Sequence, residues 1–376
     1  MFFYGTLCYR PLLELVLQGR SYQAKPACLP AHKVSWVKDQ PFPMIQACPN
    51  DPDAVAQGLL VEELSDTAKA RLDFYEGGFD YTLQALAVHP DGQAAPVSAQ
   101  VYFPDPGLWT AGDPWSLDDW VAAWGDLTLE AAREVMGTFG TLTPKQIAER
   151  FAMIRVRAAS RLRARNNASP TTLRAAYGAQ DVRVTAEAQP YTGFFAMKEQ
   201  TLSFRRYSGE MSETVTRSAF VGGDAVIVLP YDPVRDRVMV IEQFRMGPHM
   251  RGDPSPWLLE PIAGRIDPGE TPEACAHREA QEEAGLTLDR LLPLPHHYPS
   301  PGASTEFFYT YVALCDLPDD VAGFGGVVDE AEDIRTHVIA FDKLMGLVQS
   351  GEAGCGPLVL SALWLSHNRD RLRAGC

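Results

Sequence analysis

The 376-residue sequence has no apolar run near the roughly 18 residues that would suggest a membrane-spanning helix, so no membrane partner is expected. It has no C-x-x-C pair. The seven cysteines (Cys8, Cys28, Cys48, Cys275, Cys315, Cys355 and Cys376) are scattered and odd in number, which argues against a zinc site and for reduced thiols in a cytoplasmic protein. Positive charge is scarce, with 33 Lys and Arg against 48 Asp and Glu and a formal net charge of −15. A nucleic-acid partner is not expected, because phosphate contact needs a basic surface. The opening stretch MFFYGTLCYR lacks a basic region, a long apolar core and a small-residue cleavage site, and so does not read as a signal peptide. No internal repeat is seen.

With 46% hydrophobic and 22% charged residues, a chain of this length can bury two full-sized cores. The first half carries strand-like runs: MFFYGTL, KVSWV, AQGLLVEEL, YTLQALAVH and SAQVYF. Ser65 is placed to cap a helix that follows it. From Ser116 the pattern turns helical, in SLDDWVAAWG, TLEAAREVMGTF and TPKQIAERFAMIRVRAASRLRAR. The polar stretch RNNASPTTLR (165–174) has the composition of a connector. Beyond it, AVIVLPYDPVRDRVMVIEQF reads as a hairpin with YDPVRD at its tip, and strands and helices alternate to the end. The expected division is 1–115, a helical spacer and linker at 116–175, and 176–376.

One helix stands out. Thr271 can cap it, Pro272 opens it and Gly285 ends it, which predicts a helix over Pro272–Ala284. It carries REAQEEAG, in which Glu279, Glu282 and Glu283 crowd one face. Like charges at those spacings destabilise a helix by roughly 0.2–0.5 kcal/mol per pair. Carboxylates clustered on a rigid element are hard ligands for Mg²⁺ or Mn²⁺, and a bound dication turns the repulsion into attraction.

The longer stretch GRIDPGETPEACAHREAQEEAGL (264–286) resembles the Nudix box at every fixed position, from Gly264 and Glu270 through Arg278-Glu279 and Glu282-Glu283 to Gly285. The resemblance implies hydrolysis of a nucleoside diphosphate linked to another moiety. Glu279 and Glu283 would be direct metal ligands, Glu282 a nearby or water-mediated one, and Arg278 an orienting partner. Glu270 would support the loop into the helix. YPSPGASTE (298–306) and PWLLEPIAG (256–264) resemble the ADP-ribose pyrophosphatase subgroup. By that likeness the carbonyl of Ala263 completes a metal shell, Arg217 and Arg245 contact substrate, and Glu306 reaches the partner's site in a homodimer. The stretch DEAEDIRTHVI (329–339) resembles the loop and strand that bring the last acidic residues to the site, which implies Glu330 as general base and Glu332 as a further ligand, with their roles open to exchange. Phe194 or Phe195 could stack on adenine or lie in the core. Nucleotide sugars and dinucleotide coenzymes stay open as substrates.

FFYGTL (2–7) followed by LDFYEGGFDY (72–81) resembles the γ-glutamylcyclotransferase-like family, a small β-barrel. There the Tyr4-Gly5-Thr6-Leu7 turn would hold a carboxylate and Glu76 would move a proton while a γ-glutamyl amine cyclises. A ligand-binding or metabolite-sensing module is the alternative. The expected fold is α+β with two domains: that barrel with a helical appendage, then a Nudix α/β/α sandwich. The whole resembles fusions associated with tellurite resistance.

Overall fold

A computed structural model describes residues 1–167, 170–319, 321–326 and 332–375. The chain forms two compact units, Met1–Arg174 with Thr192–Phe194, and Ala175–Tyr191 with Phe195–Cys376.

The N-terminal unit holds a closed barrel of five strands, in the order Phe2–Phe3, Val55–Glu62, Gln23–Pro30, Tyr81–Pro90 and Val97–Pro104. Phe2 closes it, opposite Leu60 on one neighbour and Val101 on the other. Phe2, Leu29, Ile45, Leu60, Val88 and Val101 form one core cluster. A second cluster joins the barrel to the helices Arg10–Leu17, Asp66–Glu76, Leu117–Gly137 and Phe151–Asn166, through Leu12, Leu13, Leu72, Trp120, Val135 and Ile154. Ser65 caps the second of these helices, accepting the Ala68 N–H.

The stretch expected as spacer is therefore built into this core. SLDDWVAAWG and TLEAAREVMG run as one helix, and Trp120 is fully buried and donates its indole N–H to the Pro41 carbonyl. The next helical run breaks in two, Pro144–Ala148 and Phe151–Asn166. At the break Arg150 lies at φ −107° and ψ −4°, and its guanidinium donates to the Gln146 carbonyl. Buried charge ties the two long helices together. Arg157, fully buried, pairs with Glu134 at 2.6 Å, Arg161 reaches both Glu130 and Glu134, and Arg133 and Arg165 also reach Glu130.

The C-terminal unit is built on an eight-stranded sheet. The expected hairpin is present, with Tyr231 opposite Val238, and Asp232 accepts the Val234 and Arg235 N–H groups at its tip. Strand alternation sends Val226, Val228, Met239 and Ile241 to one face, against Cys275, Ala276 and Ala280 of the helix Pro272–Ala284. Leu229, Tyr231, Val238 and Val240 go to the other face, against Phe341–Ser350 and Gly356–Ala374. The result is a helix–sheet–helix sandwich. A separate three-stranded sheet, Val182–Thr192, Ala196–Phe204 and Val215–Val221, is largely exposed. Among the described residues no helix is long and apolar enough to cross a membrane.

Candidate functional site

The helix Pro272–Ala284 starts and stops where its local chemistry dictates. Thr271 accepts the Ala274 N–H at 3.1 Å, Pro272 occupies the first position, and Gly285 closes the helix at φ 63°. Its sheet-facing side carries Glu283, only 2% exposed, and Glu279 at 9%. Glu283 accepts the Ala263 N–H at 3.1 Å. Glu279 lies over Gly264 so closely that a Cβ there would come within 1.8 Å of its carboxyl carbon. The strand Ile262–Arg265 thus offers a cradle shaped for that carboxylate.

Arg278 joins the loop to the helix. Its Nε and Nη2 donate to the two oxygens of Glu270 at 3.0 Å each, while Nη1 donates to Glu279 at 2.7 Å and Glu282 at 3.0 Å. Such a forked pair is directional as well as strong. Glu270 also accepts the Asp267 N–H, as the loop-supporting reading expects. Burial works against the Glu270 charge, but Arg278 and that N–H hold its pKa below the ordinary carboxyl value. Burial pushes Glu279 up to about 7, with Arg278 opposing. Burial also pushes Glu283 well up; the Ala263 N–H opposes this, and the charges of Glu279 and Glu332 add to it.

Glu279 and Glu283, both buried, feel the charge of Glu332, and carboxylates so placed suit a cation. All-oxygen donors beside a glycine cradle fit a hard dication such as Mg²⁺ or Mn²⁺. Among the described residues no three His, Cys, Asp or Glu side chains already stand in a ligand arrangement; an oxygen of Glu279 is held by Arg278.

Arg245 follows the strand Arg237–Phe244 and is the second cation of this region. Its Nε and Nη2 both donate to Glu260 Oε2, at 2.8 and 2.6 Å, and its charge opposes the upward shift of Glu283. Glu260 is 8% exposed and was not singled out from the sequence; the signal was a lone charge inside the apolar run PWLLEPIAG.

Other expected residues are not gathered here. Arg217 is exposed on the strand Val215–Val221 and bonds the neighbouring Thr216 carbonyl. Glu306 accepts from Ser304 Oγ at 3.2 Å and lies against Gly222. Phe194 and Phe195 are exposed, so neither belongs to the core, and the Arg265 guanidinium lies over the Phe195 ring at 5.6 Å. Glu330 lies outside the described residues.

In the N-terminal unit, the segment after Phe2–Phe3 folds into a tight turn over Thr6–Cys8, with the Gly5 carbonyl accepting from Cys8 and that of Thr6 from Tyr9. Tyr4 and Leu7 are buried, and Gly5 lies so close to Pro43 that a Cβ would come within 2.7 Å of the ring. Glu76 ends the helix Asp66–Glu76. Its residue surface is only partly covered, yet its carboxyl lies deep enough that burial pushes it up to about 7. Burial raises the hydroxyls of Tyr4, Tyr75 and Tyr81, and the Glu76 charge adds to it, after Tyr81 in the case of Tyr4; Tyr102, also raised, donates to Asp73 at 2.7 Å. Glu76 and Tyr4, far apart in sequence, lie close enough for the carboxylate charge to act on the hydroxyl.

A model of the NUDIX domain matches residues 222–352. The ADP-ribose pyrophosphatase of Escherichia coli (strain K12) is 37% identical over 204 residues, which is 54% of this chain and 97% of the relative. The chain belongs to the Nudix family. The Nudix pyrophosphohydrolase domain occupies its C-terminal half, and a model described as gamma-glutamyl cyclotransferase, AIG2-like, matches residues 1–122, so the expected fusion is present. The ADP-ribose pyrophosphatase of Haemophilus influenzae is 34% identical over 52% of this chain and 91% of its own length. The GDP-mannose pyrophosphatase of Enterobacter sp. (strain 638) is 30% identical over 46% of this chain and 88% of its own.

Proposed function

We propose that the Nudix domain hydrolyses the pyrophosphate bond of ADP-ribose, giving AMP and ribose 5-phosphate. The observation that carries this reading is the burial of Glu279 and Glu283 one turn apart against Ala263 and Gly264, with Arg245 beside them. The choice of ADP-ribose over other nucleoside diphosphate derivatives rests on relatives at 34–37% identity named for it, against 30% for GDP-mannose.

Glu279, Glu283, Glu332 and the Ala263 carbonyl would hold Mg²⁺ or Mn²⁺. Bound there, the ion would supply positive charge for the diphosphate and acidify a water. Arg278 holds Glu279 and Glu282 in place through three carboxylates at once. Arg245 and Arg217 would bind the substrate's anionic oxygens, and Glu330 would take the proton of the attacking water. Glu306 would complete the site across a homodimer. In the N-terminal domain, the carboxyl of Glu76 would pass a proton during cyclisation of a γ-glutamyl amine gripped at the Tyr4–Leu7 turn.

Purified protein tested with Mg²⁺ on ADP-ribose, nucleotide sugars and dinucleotide coenzymes should turn over ADP-ribose fastest. Stronger turnover of another compound would replace the substrate. Glu283→Gln should lower kcat by a factor of a hundred or more, about 2.7 kcal/mol, with its circular dichroism unchanged. Full activity in that variant would remove the helix from the mechanism.

A further inference from the structure

Gln243 lies on the strand Arg237–Phe244, and strand alternation places it with Ile241 and Arg245 on the side that faces the helix Pro272–Ala284. Its neighbours in register are known: Glu242 pairs with Leu259 and Arg335, and Gln243 itself with Leu258. It is 5% exposed, and its carboxamide Nε2 is buried with no hydrogen-bond partner among the described residues. Buried polar groups in folded proteins are paired in the great majority of cases, so such a donor calls for an explanation. Among the described residues Arg237 Nε, at the far end of the strand, is likewise unpaired, but that guanidinium has a partner through Nη1, whereas the Gln243 amide nitrogen has none. Arg237 reaches Asp319, Glu242 reaches His337, and Arg245 two places on is fixed by Glu260. Glu260 takes Nε and Nη2 through a single oxygen, which fixes the plane of the Arg245 guanidinium.

We propose that Gln243 is a substrate-binding residue of the Nudix site: its amide N–H donates to an oxygen of the nucleoside diphosphate that Arg245 engages. The inference rests on the pyrophosphohydrolase reading and adds to it a neutral donor on the same strand as the arginine. An arginine alone attracts any anion. A buried amide two positions away donates only to an oxygen that fits its depth, which makes it a determinant of which diphosphate is held.

The test uses the full chain with Gln243→Met, which keeps the volume and removes the donor, and Gln243→Asn, which keeps the donor on a shorter stem. ADP binding is measured by calorimetry, kcat and KM with the best substrate of the panel, and Tm by thermal denaturation. Gln243→Met should weaken ADP binding and raise KM about tenfold, with kcat within about twofold and Tm equal to or above the wild type. Tm should not fall, because an unpaired donor has left the core. Gln243→Asn should restore part of the affinity. Unchanged ADP affinity together with a lower Tm would overturn the proposal and give the amide a structural water instead. Unchanged affinity and unchanged Tm would also overturn it. If the wild-type protein neither binds ADP nor hydrolyses any compound of the panel, the pyrophosphohydrolase reading fails and this inference with it; wild-type turnover matched by Gln243→Met sinks this inference alone.

Discussion

Glu76 and Glu279 are both pushed up to about 7 by burial, but they keep different company. Glu279 has a guanidinium at 2.7 Å; Glu76 has phenols around it. Burial alone sets the shift of Glu76, so it is the carboxyl whose protonation folding itself controls. Its ordinary value is 4.5. Below that pH both folded and unfolded chains carry the proton, and no penalty arises. As pH rises towards about 7 the unfolded chain loses its proton first, and the folded chain must keep one or bury a charge. Stability therefore falls across that window and levels off above it. Glu76→Gln, neutral throughout, should match the wild type near pH 4 and gain over it up to a plateau of roughly 2–3 kcal/mol above pH 7. Urea denaturation at several pH values reads this directly. A wild type that is the more stable at pH 8 would mean that the carboxylate has a cation partner.

At the scale of the element, the box helix was legible almost to the residue. Its cap, its opening proline and its closing glycine are local signals, and Thr271, Pro272 and Gly285 each sit as the sequence implies. The strand Gln23–Pro30 was not legible, because Pro26 and Pro30 argue against a strand and only closure of the barrel holds it between two others. The break before Phe151 was equally hidden, since it depends on how the flanking pieces pack. The site divides the same way. Glu279 and Glu283 stood out by spacing on one helix, and Arg278 and Glu270 by the resemblance to the Nudix box. Glu260 and Gln243 were not, because their meaning comes from register with neighbouring strands and from burial, neither of which a single sequence displays. The helix and the strand Ile262–Arg265 approach so closely at Gly264 that one methyl group has no room. Gly264→Ala should push the Glu279 carboxyl out of its cradle and lower kcat by at least tenfold, about 1.4 kcal/mol. Metal-titration curves should move to higher Mg²⁺ concentration. Unaltered Mg²⁺ dependence would show that the cradle does not set the carboxylate.

At the scale of the molecule, two compact units with separate cores make a single all-or-none transition an unsafe assumption. Scanning calorimetry should resolve two transitions. Mg²⁺ should raise one of them and leave the other in place, because a ligand stabilises only the unit that binds it. An equal shift in both would tie the two units into one cooperative block. The helix Leu117–Gly137 bears on the same matter in a practical way. The similarity to cyclotransferases stops at residue 122, five residues into this helix past its first. A chain cut there would keep the whole barrel and the Tyr4–Leu7 turn, and would lose Ala131, Val135 and Ile154 from the cluster that covers the barrel's helices. Likeness between sequences marks where ancestry is still readable; the extent of the buried surface marks what must be inherited together for the barrel to stand.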